Sequence, residues 1–286
     1  MDQTRVKKGR IDLNVVIESP NHMQWARESL DPAIKTVVIG NGPSLRDHLA
    51  RGDFDLLRDL QAEGLVETWA MNMIDLVYDR TDWRPTNWVW VEYVTYDRAL
   101  GMHRESTIEF ARTAVEKHVA PGVENCWIEK RFRRWMNLNN DQITRTNWIS
   151  RCEGLGHGRQ YGHEFAPDDW HLPTPCVYGG TISTVFPLIF MEGRARDVAV
   201  IGCDLGIEPP KRLNMNGEFS DSNHFDEKYL TWVDGDYTLI DPTLSHAHEI
   251  ARRYFLENDR RIYNAGIGGS LDVHPRILLR DFLGVE

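Results

Sequence analysis

The sequence predicts an α/β, Rossmann-like fold: a parallel sheet with crossover helices and a loop-rich lid. Three observations carry this. Short apolar runs closed by glycine stand at Thr36–Ile39 and at Asp197–Ile201, followed by Gly40 and Gly202. A strand buried on both faces reads as such a continuous run, whereas a half-buried strand alternates. The runs are interleaved with helical patterns, and strand–helix–strand order favours parallel pairing through right-handed crossovers. The length of 286 residues suits one large α/β domain with a smaller lid.

Residues 1–30 are polar and weakly periodic and read as an N-terminal arm. Residues 31–286 read as one catalytic domain. Its first strand is Thr36–Ile39. Arg46 to Leu60 follows as a helix, with Leu49, Phe54, Leu56, Leu57 and Leu60 available to its apolar side. Glu67–Met71 and Trp88–Val91 are the next strands. The stretch 100–175 holds an amphipathic pattern at Ser106–His118, a basic cluster at Arg131–Arg134 and a Gly-, His-, Asp- and Pro-containing run over 152–175. It reads as a lid insertion, because loops this long are usually functional. Tyr178-Gly-Gly-Thr181 opens an apolar helix, Ile182–Met191, which Pro187 is placed to kink. After the strand at 197–202, a second polar insertion covers about 206–240. A helix at His246–Glu257 and a strand at Arg261–Asn264 complete the order.

Composition excludes several classes. Hydrophobic residues at 41% and charged residues at 27% are globular proportions. A formal net charge of −10 opposes nucleic acid, whose affinity rests mostly on phosphate neutralisation. No run of about 18 apolar residues is present, so no membrane span is expected. The charged N-terminus has no apolar signal core, so a cytoplasmic location is expected. Cys126, Cys152, Cys176 and Cys203 form no CxxC, which supports neither a zinc ribbon nor a disulfide framework. The ten tryptophans are either packing residues or stacking surfaces for sugars and bases.

Four motifs carry the candidate chemistry. Gly40-Asn41-Gly42-Pro43-Ser44 joins a strand to a helix; glycines there let the backbone approach a ligand, and the helix N-terminus favours a phosphate. It is neither a dinucleotide fingerprint nor a Walker loop, and it also reads as an ordinary turn. Gly180-Thr181 at the next helix start reads as exposed amides or as close packing. Asp204 lies just beyond the carboxyl end of a buried strand, where open α/β sheets bind ligands; it equally reads as the cap of a neighbouring loop. His224, in the polar run Ser222–Tyr229, is a candidate general base among eleven histidines. Asp234-Gly-Asp236, His246-x-His248 and His157 with His163 have some metal-ligand character, but no convincing ligand set accompanies them. No metal is assigned.

Taken together, the blocks Ile-Gly-Asn-Gly-Pro-Ser-Leu45, Trp-Ala-Met-Asn72, Gly-Gly-Thr181, Val-Ala-Val-Ile-Gly-Cys-Asp-Leu205, Asn-His-Phe-Asp-Glu-Lys-Tyr229, Ile262-Tyr-Asn-Ala265 and Gly-Gly-Ser-Leu271 resemble the bacterial lipooligosaccharide sialyltransferases. They also resemble the wider 6-hydroxymethylpterin diphosphokinase-like superfamily. The resemblance covers about 36–76 and 176–275. It implies a nucleotide sugar as donor, CMP-sugars among the candidates, and a glycan hydroxyl as acceptor. It implies that Asn41 and Asn72 hold the nucleotide, with Gly40, Gly42, Pro43, Ser44, Gly180, Thr181 and Asp204 around it, and that His224 is the base. Gly179 stands where the sialyltransferases have serine. Leu205–Arg212 lacks their two tyrosines, and Lys211 or Arg212 is a candidate replacement. The resulting expectation is an inverting, metal-independent glycosyltransferase without a cofactor, its homo-oligomeric state left open. The alternative is a diphosphokinase-like pyrophosphate transfer from ATP, with Mg²⁺ held by Asp204 and Asp234 or Asp236.

Overall fold

The computed structural model describes residues 30–90, 96–97, 102–103, 113, 116, 123–129, 146–149, 181–206, 224–226 and 241–285. In chain order the elements begin with strand β1 (Lys35–Ile39), helices α1 (Leu45–Ala50) and α2 (Asp53–Ala62), and strand β2 (Val66–Met71). A 3-10 turn (Ile74–Val77) leads to β3 (Asn87–Trp90). Two-residue strands β4 (Tyr96–Asp97) and β5 (Met102–His103) pair antiparallel. Then come β6 (Asn125–Glu129), β7 (Thr146–Ile149), α3 (Ile182–Glu192), β8 (Asp197–Ile201), α4 (Asp241–Glu257), β9 (Arg261–Asn264) and α5 (Leu279–Leu283).

Seven strands form one sheet in the order β7-β6-β3-β2-β1-β8-β9, with every pairing parallel. The fold is therefore α/β and Rossmann-like, as the apolar strands predict. The chain runs outward from β1 to β7, then returns to place β8 on the other side of β1. The strand order reverses between β1 and β8.

Both faces of the sheet are covered. Val37 and Ile39 of β1 point to a core with Leu45, Phe54, Leu57, Trp88 and Phe282. Val38, between them, points to the opposite core with Trp69, Phe186, Ile189 and Phe255. Alternate residues thus meet helices on both sides, which is why these strands are apolar throughout. Trp69, Trp83, Trp88, Trp90 and Trp127 are all buried, so these five are packing residues. Trp69 and Trp127 stack on the same face of the sheet with centroids 5.6 Å apart.

Three boundaries differ from the sequence reading. The helix expected over Arg46–Leu60 is two helices, because Gly52 adopts a left-handed φ of 74°. The break is bridged by a buried pair, His48 Nδ1 to Asp53 Oδ2 at 2.7 Å. The stretch 100–175 is not wholly an insertion, since β6 and β7 extend the central sheet. They are short and interrupted by polar residues, so no apolar run announced them. Helix α4 starts at Asp241, five positions earlier than expected, directly after the stretch assigned to the second lid. The arm 1–29, most of Ser106–His118, the run 152–175 and most of 207–240 lie outside the described residues.

Two buried polar devices stiffen the frame. Asn87 Nδ2 donates to Glu67 Oε1 at 2.9 Å, and Trp127 Nε1 donates to Asn87 Oδ1 at 3.1 Å. Burial raises the Glu67 carboxyl above its usual range. Arg260 donates to the carbonyls of Ile189, Phe190 and Ala195, tying the end of α3 and the chain just after it to the start of β9.

His248 on α4 meets His274, ahead of α5, with Nδ1 and Nε2 3.0 Å apart. Both are buried, and Phe186 lies edge-on to each. Burial and then His274 hold His248 well below the usual histidine range; burial and then Arg252 hold His274 down at about 3. The pair is thus neutral and structural. In the unfolded chain each histidine gains a proton as pH falls below about 6.5, while the folded pair does not. Stability is complete above that pH and falls as pH drops below it, by up to about 1.4 kcal/mol per pH unit for each histidine. Urea unfolding from pH 7.5 to 4.5 measures this. The double variant His248→Asn/His274→Gln should be less stable at pH 7.5 yet show the shallower decline; an equal decline overturns the assignment.

Candidate functional site

The site lies at the carboxyl ends of β1, β2 and β8, beside the point where strand order reverses, which is where open parallel sheets place ligands. The turn after β1 is built against the turn after β8. Gly40 N donates to Ile201 O at 2.9 Å and Gly42 N to Gly202 O at 2.8 Å. A Cβ at Gly40 would collide with Gly202 O and lie 2.8 Å from Cys203 Sγ. One at Gly42 would collide with Asp204 Oδ2 and lie 2.8 Å from Gly202 O. These two glycines are needed for turn-on-turn packing; the gap between β1 and β8 is closed by the chain itself.

Asp204 completes the closure. Its Oδ2 accepts from Ser44 N at 2.8 Å, at the start of α1. Leu45 N and Arg46 N donate to Gly42 O and Pro43 O. The amides expected to cradle a phosphate are therefore engaged, and a carboxylate already stands at the positive end of α1. Of the two readings of Asp204, the loop cap is the one observed. Pro43 precedes the N-cap, and Ser44 occupies it without using its side chain as a cap. Instead, Ser44 Oγ is buried without a hydrogen-bond partner. The backbone carbonyl of Asp204 also receives Ser270 N and Leu271 N, so one residue ties the turns after β1, β8 and β9.

Asn41 projects to the other side, toward β2. Its Nδ2 donates to Met71 O at 2.9 Å, which fixes the amide orientation. Its Oδ1 is buried with no hydrogen-bond partner among the described residues. Asn72 ends β2 in a left-handed conformation, φ 50°, which asparagine tolerates better than most residues. Thr181 Oγ1 donates to Asn72 Oδ1 at 3.0 Å, and Trp88 Nε1 donates to Asn72 O at 2.9 Å. Asn72 thus has structural duties besides its candidate role, and Thr181 spends its hydroxyl on Asn72 at the start of α3.

His224 arrives from far along the chain. Phe225 N donates to Asn41 O at 2.9 Å. Arg46 Nη2 donates to His224 O at 3.1 Å and its Nε to Phe225 O at 2.6 Å. Phe225 is sunk in the core, and Arg80 forms an ion pair with Asp226. His224 itself is 8% exposed.

The fold therefore brings Asn41, Asn72, Thr181, Asp204 and His224 to one edge. Gly180 lies outside the described residues, as do Tyr178, Gly179, Lys211, Arg212, Asp234, Asp236, His157, His163 and the Arg131–Arg134 cluster. Among the described residues, no group of three or more His, Cys, Asp or Glu is placed to hold a metal. Burial pushes the Cys203 thiol up to about 12, with Asp204 adding to the effect, so it is a packing group. Sequence reasoning missed Arg46 and Arg80, because their contacts are to a segment about 150 to 180 residues away. No helix among the described residues is long and apolar enough to cross a membrane.

The packing of Gly42 makes a definite demand. Gly42→Ala forces Asp204 from Ser44, so the protein should lose about 1–3 kcal/mol of stability, as overpacking does. Chemical denaturation of the variant without any ligand measures it. Wild-type stability would return Gly42 to a ligand-contact role.

The chain matches no protein-family model, no characterised protein and no solved structure.

Proposed function

We propose that the protein is a nucleotide-sugar-dependent glycosyltransferase, with the nucleotide at Asn41, Asn72 and Thr181 and with His224 as the base. One observation carries the reading: the buried Oδ1 of Asn41, which has no hydrogen-bond partner among the described residues while its Nδ2 is tied to Met71 O at the carboxyl end of β2. A buried acceptor without a partner costs roughly 1–3 kcal/mol. A ligand N–H or O–H offsets that cost. The exocyclic amine of cytosine is such a donor, in keeping with the resemblance to enzymes that use cytidine nucleotides. Proximity of His224 to the Asn41 turn supports the rest.

In this reading the neutral imidazole of His224 takes the proton of an acceptor hydroxyl. The oxygen attacks the anomeric carbon as the bond to the nucleotide phosphate breaks, and a single displacement inverts that centre. In this reading the turn after β1 does not carry the leaving phosphate's charge, since Ser44 N is taken by Asp204 and Gly42 N by Gly202 O. That task falls to cations elsewhere; Lys211 and Arg212 are the sequence candidates.

The reading separates cytosine from uracil, which presents a carbonyl where cytosine presents an amine. CMP should raise the thermal midpoint and UMP should not, with Asn41→Ala removing the difference. Ligand at 100 times its Kd adds about 2.7 kcal/mol. Equal responses to CMP and UMP would reject the role of Asn41. In turnover of CMP-sialic acid, His224→Ala should lower kcat by about 10²-fold or more and leave CMP binding intact.

A further inference from the structure

We infer that Arg46 is a positioning residue: its guanidinium clamps the 224–226 segment onto the turn after β1 and so sets where His224 stands. The functional part of this inference rests on the glycosyltransferase reading; the clamp itself does not.

The clamp is built from the backbone of the segment. Arg46 donates from two different nitrogens, Nη2 to His224 O at 3.1 Å and Nε to Phe225 O at 2.6 Å. Two donors in one rigid plane fix two successive carbonyls at once, which a lysine ammonium on a flexible stem does not reproduce. Phe225 N closes the same contact from the other side by donating to Asn41 O at 2.9 Å. The segment therefore touches the turn through a donor and two acceptors, all main-chain. Arg46 lies in the first turn of α1, two residues after Ser44, whose amide Asp204 holds. A displacement of that helix start is transmitted to residue 224 through one side chain.

Phe225 and Asp226 supply the remaining hold. The Phe225 ring is 1% exposed among Leu45, Trp83 and Trp88, and Asp226 meets Arg80. These contacts keep the segment on the protein. Arg46 decides its register against Asn41, because it alone among the described residues donates to the two carbonyls that flank the Phe225 amide. Misplacing a catalytic group by about 1 Å costs as much as 10²-fold in rate, so a clamp at the base has kinetic consequences that a distant stabilising contact lacks.

The test uses the full chain with Arg46→Gln and Arg46→Lys. Hydrogen exchange reads the clamp directly, without any ligand. In Arg46→Gln the Phe225 amide should exchange at least ten times faster, while the amides of β1 and β8 keep their protection. Unchanged Phe225 exchange overturns the clamp, and so does a uniform loss of protection across β1 and β8, which would make Arg46 a general stabilising residue. Turnover of CMP-sialic acid reads the consequence. Arg46→Gln should lower kcat by about 10²-fold with donor KM nearly unchanged, and Arg46→Lys should recover part of it. Full kcat in Arg46→Gln overturns the positioning role. If the wild type does not turn over CMP-sialic acid, the proposed donor falls, and Phe225 exchange still decides the clamp.

Discussion

The carboxylate of Asp204 sits where three chain turns meet, and the shape of the carboxyl edge follows from how that charge is accommodated. Taking a carboxylate out of water without partners is costly. Here Oδ2 receives the Ser44 amide at the start of α1, and the helix end adds a favourable field. A hydrogen bond to a charged group is worth about 1.5–3 kcal/mol. The same residue's carbonyl accepts from Ser270 and Leu271 after β9. Because the charge must be satisfied locally, Gly42 and Gly269 have to lack side chains: a Cβ at either would strike Asp204.

That constraint moves the ligand surface. In an open parallel sheet the natural crevice lies where strand order reverses. This protein fills the crevice between β1 and β8 with its own carboxylate and two tightly packed turns. The open chemistry lies one strand over, where β1 and β2 end in Asn41 and Asn72. An edge already occupied by a negative group does not attract a phosphate to the same amides. In the proposed reading the neutral acceptor Asn41 Oδ1 takes a ligand donor instead, which is the reason for placing a nucleobase there and the phosphates elsewhere.

Much of the frame was legible because its cause is local. The runs Val37–Ile39 and Val198–Ile201 are apolar since both faces of their strands are covered, and glycines follow them because the turns touch. The strands β6 and β7 were not legible: in sequence each is a short apolar stretch among polar neighbours, and β6 finds β3 only through pairing with a strand more than thirty residues earlier, while β7 is placed in turn by β6. Gly52 was visible as a residue but not as a break, since glycine inside a helical pattern is tolerated until tertiary structure makes use of its positive φ. At the site, Asp204 could be named from its position after a strand, whereas Asn41 and Asn72 were named through the resemblance. Whether Asp204 faced a ligand or a neighbouring amide depended on Ser44, 160 positions earlier, and no local pattern encodes that.

The contrast among histidines shows what the fold adds to a residue list. His248 and His274 are kept neutral by burial, and each is committed to the other in the core beside Phe186. His224 is held differently. Asn41 and Arg46 grip the main chain of its segment, and Phe225 and Asp226 carry the side-chain contacts that seat it. Those four contacts do not require an imidazole at position 224. The main chain around residue 224 is thereby fixed from both sides, and in the proposed reading this is what holds the base at the sheet edge beside Asn41.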